Sequence, residues 1–362
     1  MSPDAAIKVR SLKDRLVEHI TMDGPISIAD YVQLCLFDPL DGYYSCHVTI
    51  GADGDFITAP TISQMFGEMI GVWVAQVWHN LGGPAHFNLV EFGGGDGTLM
   101  GDILRVARNI PGLSQAATIV FIEPGRLAAQ QLASVPNART VATLRDLTTD
   151  IPAICIANEV LDCLPIRQFV NTDDGWHERR VGVHDGELIF GLVPVGPDFE
   201  PPFDAPVGEI VEISFEQQRF TYQLADHLKT STGAALLIDY GRDTPGTGDT
   251  LQALSKHEKR DPLEAPGRHD LTQWADFPAV AATARHAGVR VPPITPQSTF
   301  LHRMGIDTRL VALTTKNPGH AAQLERQYQR LTAADQMGDL FKVVGLAWPE
   351  TLNLPGLDAP AP

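Results

Sequence analysis

The sequence predicts an α/β protein whose core is a mostly parallel sheet, and three observations support this prediction. Between residues 86 and 241, short apolar segments alternate with segments of helical periodicity, which is the order that produces parallel strands joined by helices. The apolar segments run without polar alternation, as strands buried on both faces do. One of them leads into a cluster of glycines and then into a helical stretch, which is typical of a ligand-binding sheet edge.

Seven strands are predicted for this sheet. They are Phe87–Phe92, Thr118–Glu123, Arg139–Thr143, Ala153–Asn158, Ala234–Tyr240, Val289–Ile294 and Leu340–Ala347. The helical stretch Gly319–Ala334 separates the last two strands and is too long for a tight hairpin. The sequence therefore predicts a helical insertion at about residues 299–335.

The region before the sheet has the pattern of helices. Ile26–Phe37 and Ser63–Leu81 both carry apolar residues at helical spacing. We therefore expect residues 1–85 to form an N-terminal helical cap, followed by a core that spans residues 86–350.

Three further segments interrupt or follow the core. Residues 168–212 alternate in polarity around Asp173-Asp174-Gly175 and Asp185-Gly186, which indicate hairpin turns and predict a β-rich insertion. Residues 242–268 are rich in glycine, proline and charge, so they predict a long loop of the kind that is often functional. Residues 351–362 are expected to be a frayed tail.

The composition excludes several classes of protein. The chain has 362 residues, with 27 Lys and Arg against 44 Asp and Glu, a net charge of −17 that disfavours nucleic-acid and membrane partners. Its four cysteines show no CxxC pair and no zinc-ligand spacing, which predicts a reducing compartment and no metal. The first residues lack the patterns of a secretion signal or an organellar transit peptide, so we expect a cytoplasmic bacterial protein.

The glycine cluster predicts a cofactor site. Glu91 and Phe92 end the first strand, and Gly93, Gly95 and Gly97 follow, in a spacing that fails the dinucleotide pattern G-x-G-x-x-G. Glycines allow a ligand to approach the backbone, and the following helix offers free N–H groups. An acid at Glu91 would repel a pyrophosphate but can bind the cationic amino group of S-adenosylmethionine. A nicotinamide or flavin dinucleotide, and a turn that holds no ligand, remain the alternatives.

Two more acids follow neighbouring strands. Glu123 ends the second strand beside the glycine turn, where an acid commonly binds the two hydroxyls of a ribose. The alternative for Glu123 is a carboxylate that starts the next helix. Asp146 follows the third strand and is a candidate for the adenine amino group, with a solvated loop acid as its alternative.

These residues carry a resemblance to a known family. The segment Val90-Glu91-Phe92-Gly93-Gly94-Gly95-Asp96-Gly97-Thr98-Leu99-Met100 resembles motif I of class I S-adenosylmethionine-dependent methyltransferases. Further strings resemble the MidA family within that class. They are Asp38-Pro39, Gly42-Tyr43-Tyr44-Ser45, Gly54 to Pro60 with Ser63 and Phe66-Gly67-Glu68, Ala157 to Pro165, Ile238-Asp239-Tyr240-Gly241, Gly248 to Gln252, and Met337 to Val343. The resemblance spans about residues 20–346.

The resemblance implies a Rossmann-like, seven-stranded class I fold and S-adenosylmethionine as cofactor. The family includes a mitochondrial assembly-factor methyltransferase that acts on an arginine of a respiratory complex I subunit. It therefore implies methylation of an arginine in a partner protein, and a mitochondrial location for eukaryotic relatives. It also suggests that Thr58 and Pro60 belong to a lid over the cofactor. The chain departs from the family pattern at Gly94, where proline is common, and at Asp96, where a longer residue is usual.

The acceptor side is predicted at the ends of the fourth and fifth strands. Methyl transfer to a guanidinium is an in-line displacement, and carboxylates that grip the acceptor would align it. Glu159 and Asp162 follow the fourth strand, while Asp239 and Tyr240 end the fifth, and Asn158 is assigned to the cofactor side. The alternatives are a helix cap for Asp162, a turn-forming amide for Asn158 and ordinary packing for Tyr240.

Two other functions remain open from the sequence alone. The first is a methyltransferase for a small molecule, which would enclose its acceptor in a closed pocket. The second is an assembly chaperone that binds S-adenosylmethionine and catalyses nothing. Turnover with a partner protein would distinguish the proposed enzyme from the chaperone.

Overall fold

The computed structural model describes residues 10–47, 58–123, 125–255 and 258–358. The α-helices of these residues are α1 (Leu12–Asp23), α2 (Ile28–Phe37), α3 (Ala59–Ile62), α4 (Gln64–Asn80), α5 (Thr98–Ala107), α6 (Leu113–Ala116), α7 (Ala128–Ser134), α8 (Phe215–Ser231), α9 (Phe277–His286), α10 (Gln297–Met304), α11 (Ile306–Lys316) and α12 (Ala321–Thr332). The strands are β1 (Ile26–Ser27), β2 (Phe87–Phe92), β3 (Ala117–Ile122), β4 (Arg139–Val141), β5 (Ala153–Asn158), β6 (Arg167–Thr172), β7 (Gly175–His184), β8 (Glu187–Pro194), β9 (Ile210–Ile213), β10 (Gly233–Arg242), β11 (Gln252–Ser255), β12 (Glu258–Arg260), β13 (Asp270–Thr272), β14 (Ala275–Asp276), β15 (Thr295–Pro296) and β16 (Phe341–Trp348).

The chain divides into two compact units. The first draws its described residues from 1–48, 165–214 and 247–273, and the second from 49–164, 215–246 and 274–362. The boundary therefore does not fall near residue 85. Helices α1 and α2 cluster with the β-rich segments, whereas the apolar stripe of α4 packs into the core of the second unit.

The second unit contains the predicted sheet. Its strand order is β15-β16-β10-β5-β2-β3-β4, and the two-residue β14 pairs with the end of β10. Strands β2, β3, β4, β5 and β10 run parallel, and β16 is antiparallel to β10. The expectation of a mostly parallel sheet in an α/β fold is confirmed.

One predicted strand of this sheet is wrong in position and length. The expected strand Val289–Ile294 contributes only an isolated bridge between Arg290 and Ala347, and the regular pairing is that of Thr295–Pro296 with β16. Pro292 and Pro293 lie inside the predicted strand, and proline has no N–H to donate to a ladder.

Helices cover both faces of the sheet. One face packs against α4 and α5 through residues such as Phe66, Trp73 and Ile103, which are fully buried. The other face packs against α8 and α9, where Leu224 and Phe277 are fully buried. This explains why the sequences of the central strands lack a regular polar alternation, because these strands contact apolar layers on both sides.

The first unit holds the β-rich insertion, as predicted. Its five strands have the order β1-β7-β6-β9, with β8 paired to β7. Asp185 and Gly186 connect β7 to β8 with φ values of 49° and 79°, the left-handed pair that a two-residue hairpin requires. The expected loop at 242–268 is wrong in part, because β11 pairs with both β12 and β13 in a three-stranded sheet.

The described part of the C-terminal tail is packed. Leu354 and Leu357 are 0% and 2% exposed, and Asp358 pairs with Arg290. The expectation of a frayed tail is therefore wrong for residues 351–358, because the apolar side chains of that segment join the core of the second unit. None of the described helices is both long and apolar enough to cross a membrane.

Candidate cofactor and acceptor site

The carboxyl ends of four neighbouring parallel strands bring the predicted residues to one edge of the sheet. The registers place Phe92 beside both Ile122 and Ala157, and Asn158 beside Ile238. The residues that follow these positions therefore emerge at the same edge, as the sequence predicted.

The glycine turn follows β2 directly. Gly93, Gly95 and Gly97 have φ values of 57°, 52° and 85°, a region that favours glycine. The Gly95 N–H donates to the Gly93 carbonyl at 2.7 Å, and the Gly97 N–H donates to the Gly94 carbonyl at 2.8 Å. Helix α5 then begins at Thr98, with its N-terminus at the turn. The turn thus combines close backbone access with a helix N-terminus.

Asp96, one of the two departures from the family pattern, has a local explanation. Its Oδ1 accepts the N–H of Thr98 at 2.9 Å, so the carboxylate satisfies a free donor at the first turn of α5. A negative charge is favoured at this end of a helix.

Glu91 lies beneath the turn and is 3% exposed. Burial, with a further contribution from Asp96, raises the pKa of Glu91 to about 8, although a backbone hydrogen bond from Met100 opposes the rise. Its Oε2 is buried and has no hydrogen-bond partner among the described residues. A buried carboxyl oxygen without a donor is costly, so a ligand that supplies one would stabilise this arrangement.

Glu123 lies just after β3 and is tied to the glycine turn through Gln131. Its Oε1 accepts the Gly125 N–H at 2.8 Å, and its Oε2 accepts from Gln131 Nε2 at 3.3 Å. The same Nε2 donates to the Gly95 carbonyl at 3.2 Å. Burial raises the pKa of Glu123, and these hydrogen bonds oppose the rise.

Gln131 is a site residue that the sequence analysis missed. It is 0% exposed in α7, and its Oε1 has no partner within the described structure. The available signal was a polar side chain on the inward face of α7, a short helix that follows β3. That signal does not show which distant backbone the amide contacts.

Asp146 is exposed and bonds within its own turn. Its Oδ2 accepts the Thr143 N–H at 2.9 Å and the Thr143 hydroxyl at 2.9 Å, which together cap a short 3-10 helix at Leu144–Asp146. These contacts are local, so the assignment of Asp146 to the adenine stays a prediction.

Glu159 follows β5 in an unusual backbone conformation. Its φ is 53°, a left-handed value that is uncommon outside glycine. Its Oε1 accepts the Ala59 N–H at 3.2 Å and the Asn158 Nδ2 at 3.0 Å. Burial, followed by the nearby Asp162 carboxylate, raises the pKa of Glu159 to about 7. The side chain still keeps an intermediate exposed fraction.

The contact with Ala59 brings Thr58 and Pro60 into this site. Thr58 is the N-cap residue of α3, and Pro60 lies in its first turn. Both residues flank the N–H that Glu159 binds. Residues 54–57 of the same family motif lie outside the described residues.

Hydrogen bonds of Asp162, Tyr240 and Asp239 connect the loop after β5 to the end of β10. The Tyr240 hydroxyl donates to Asp162 Oδ2 at 2.9 Å. Asp239 Oδ2 accepts the N–H groups of Leu161 and Asp162 at 2.9 and 3.1 Å, and its Oδ1 accepts the Tyr240 N–H at 2.8 Å. Asp239 is 0% exposed, so its carboxylate meets the backbone of the loop and presents no surface to a substrate.

Several buried polar atoms at this edge of the sheet lack a hydrogen-bond partner among the described residues. Besides Glu91 Oε2 and Gln131 Oε1, the Oδ1 of Asn158 is buried without a partner within the described structure. A polar ligand bound along the strand ends would satisfy such atoms, and the turn, the acids and the amides together fit S-adenosylmethionine. Among the residues that the structure describes, no group of three or more His, Cys, Asp and Glu converges as a metal site would.

Comparisons with known proteins agree with this geometry. Residues 69–295 match the family model described as "Putative S-adenosyl-L-methionine-dependent methyltransferase". The mitochondrial protein arginine methyltransferases NDUFAF7 of Danio rerio and Homo sapiens are similar to the chain. They are 34% and 32% identical over 92% and 91% of it, and over 86% and 82% of their own lengths.

A solved structure is similar over almost the whole chain. The crystal structure of a superfamily member from Burkholderia thailandensis bound to S-adenosyl-homocysteine has a TM-score of 0.80 at 27% identity. The similarity covers 96% of this chain and 92% of that one. Because the family model matches more than half of the chain, the protein belongs to the S-adenosyl-L-methionine-dependent methyltransferase family, and S-adenosylmethionine is its cofactor.

Proposed function

We propose that this protein methylates an arginine side chain of a partner protein. The observation that carries the proposal is Glu159, a carboxylate at the ligand-binding edge of the sheet that keeps exposed surface. Its two hydrogen bonds come from a backbone N–H and a side-chain amide, neither of which is charged. A partly buried carboxylate whose hydrogen-bond donors are both neutral favours a cationic partner, and arginine is cationic at every physiological pH.

On the cofactor side, the bound S-adenosylmethionine supplies an electrophilic methyl group on a sulfonium. Gly93, Gly95 and Gly97 give it access to the backbone, and Glu91 Oε2 is the acceptor for its amino group. Glu123 holds the ribose hydroxyls, with Gln131 fixing the orientation of its carboxylate. The cofactor site is also bordered by Asn158, Thr58 and Pro60. We assign Asp146 to the adenine amino group.

On the acceptor side, Glu159 pairs with the guanidinium and draws its positive charge toward the nitrogens that are not attacked. Asp162 is 7% exposed and is oriented by the Tyr240 hydroxyl, so it is the second carboxylate of the grip. Asp239 acts indirectly, because it binds backbone N–H groups of the loop that carries Glu159 and Asp162. The proton released from the methylated nitrogen passes to water or to a carboxylate whose pKa burial has raised.

The named activity of the relatives supports an arginine acceptor, since both NDUFAF7 proteins are protein arginine methyltransferases. The family resemblance points to a subunit of respiratory complex I as the first acceptor to test. The relatives are mitochondrial, whereas for this chain we propose the bacterial cytoplasm.

The test incubates the protein with methyl-labelled S-adenosylmethionine and a lysate from a strain that lacks its gene. We expect one labelled polypeptide, with the label on arginine after acid hydrolysis. Label confined to small molecules would favour the small-molecule enzyme, and no transfer despite cofactor binding would favour the chaperone.

The variant Glu159→Gln tests whether the negative charge of Glu159 is needed for methyl transfer. It keeps the shape of the side chain and removes its charge, so methyl transfer should fall roughly 10²-fold or more while affinity for S-adenosylhomocysteine survives. Replacing the labelled arginine of the partner by lysine should abolish methylation, because lysine lacks the planar fork that two carboxylates grip. Undiminished transfer by Glu159→Gln would remove this residue from the mechanism.

A further inference from the structure

The backbone conformation of Gly94 does not explain why this position of the turn is a glycine. Its neighbours Gly93, Gly95 and Gly97 have positive φ values, and Gly94 does not. A Cβ at Gly94 would lie 2.5 Å from Cδ1 and 2.6 Å from Cε1 of Phe121, and 3.2 Å from Cδ of Glu91. The space for a side chain at this position is therefore filled by the ring of a different strand.

The Phe121 ring cannot yield this space easily. Phe121 lies in β3, is 0% exposed and belongs to the core between the sheet and α4. Because protein cores are close-packed, displacing a buried ring by the roughly 1 Å needed for an ordinary contact would strain its neighbours. The alternative is that the turn itself moves.

We propose that Phe121 is a positioning residue for S-adenosylmethionine: its ring supports Gly94 from below and fixes the height of the glycine turn. The Gly94 carbonyl accepts the Gly97 N–H at 2.8 Å, so a displacement of Gly94 is passed to Gly97 and to the start of α5. The Glu91 carboxyl lies against the same space and moves with it. This role depends on the cofactor and not on the arginine acceptor, so either proposal can fail without the other.

The experiment is a double-mutant cycle on binding of S-adenosylhomocysteine, measured by calorimetry on the full chain. Gly94→Ala should raise the Kd at least tenfold. Adding Phe121→Val, which removes both Cδ1 and Cε1 from below the turn, should return the Kd to within about threefold of that of Phe121→Val alone. The matched control is Gly101→Ala, because a Cβ at Gly101 in α5 would meet nothing within 4 Å. It should leave the Kd unchanged.

Thermal unfolding gives a second readout that needs no ligand. Phe121→Val should lower Tm in the parent, because it opens a cavity, and should raise Tm in the Gly94→Ala background, because it removes the two atoms that collide with the alanine. Parental affinity in Gly94→Ala would overturn the proposal. So would a double variant that binds or folds no better than Gly94→Ala, since the ring would then not be the obstacle.

Discussion

At the scale of single residues, Glu123 offers the most direct measurement of the cofactor site. Its carboxylate is held by Gly125 and Gln131 at the edge of the sheet. If it binds both ribose hydroxyls, Glu123→Ala should weaken the binding of S-adenosylhomocysteine by about 1.5–3 kcal/mol, the range for hydrogen bonds to a charged group. Isothermal titration calorimetry measures the difference directly.

A matched control for this change is Glu325→Ala. Glu325 is an exposed glutamate of α12, so its removal should leave the affinity unchanged. Parental affinity in Glu123→Ala would instead assign Glu123 to the local turn that it forms with Gly125.

At the scale of one element, the loop after β5 depends on Asp239. Three backbone N–H groups donate to this carboxylate, and all belong to residues of the loop or of β10. Asp239→Asn replaces one acceptor oxygen by an amide nitrogen, so at least one buried N–H loses its partner. The free energy of unfolding should fall by about 1–3 kcal/mol, and methyl transfer should fall with affinity for S-adenosylhomocysteine retained. Urea unfolding checks the first expectation.

The control for Asp239 is Asp276→Asn. Asp276 is the N-cap residue of α9 and accepts a single N–H, that of Ala279 at 3.1 Å. Asparagine caps helices as well as aspartate does, so this variant should be nearly neutral. An equal loss of stability in both variants would show that Asp239 does not stabilise the loop after β5 more than an ordinary helix cap stabilises its helix.

Elements whose pattern is local could be predicted well. Strands β2 and β5 have the predicted bounds, Phe87–Phe92 and Ala153–Asn158, because both segments are mostly apolar without regular polar alternation and are buried on both faces. The strand predicted at Val289–Ile294 is wrong because Pro292 and Pro293 have no N–H to donate to a ladder, although the segment is otherwise mostly apolar.

At the scale of the whole molecule, contacts between residues that lie far apart in the chain could not be predicted from the sequence. The positions of the glycine turn and of Glu159 at the edge of the sheet could be predicted, because each directly follows a strand that the local sequence pattern indicates. Gln131 contacts Gly95, 36 residues earlier, and Asp239 binds Leu161, 78 residues earlier. Likewise, the helices before the sheet divide between two compact units, a choice that depends on which distant surfaces bury their apolar faces. No local pattern shows such partners.

The stability of the whole molecule should have a maximum in mildly acidic solution. Burial raises the pKa of Glu91 to about 8, that of Glu159 to about 7 and that of Asp102 to about 6. Their contribution to stability is complete below the unfolded-state pKa of such acids and is lost as the pH rises through these higher values. Asp38 and Asp307 act in the opposite direction, because Arg15 and Tyr328 respectively hold their pKa values low through hydrogen bonds. Their contribution is lost as the pH falls below about 4.

Tm measured without ligand should therefore be highest near about pH 5 and should fall steadily toward about pH 8.5. Glu91→Gln carries no ionisable group at the position with the highest of these pKa values, so the fall above about pH 7 should become shallower in this variant. Saturation with S-adenosylhomocysteine should have a similar effect, because its amino cation would pair with the Glu91 carboxylate and lower its pKa. A Tm that is constant or rises from about pH 5 to 8.5 would contradict the burial of these carboxyl groups. A slope unchanged in Glu91→Gln would show that Glu91 is not the group that titrates.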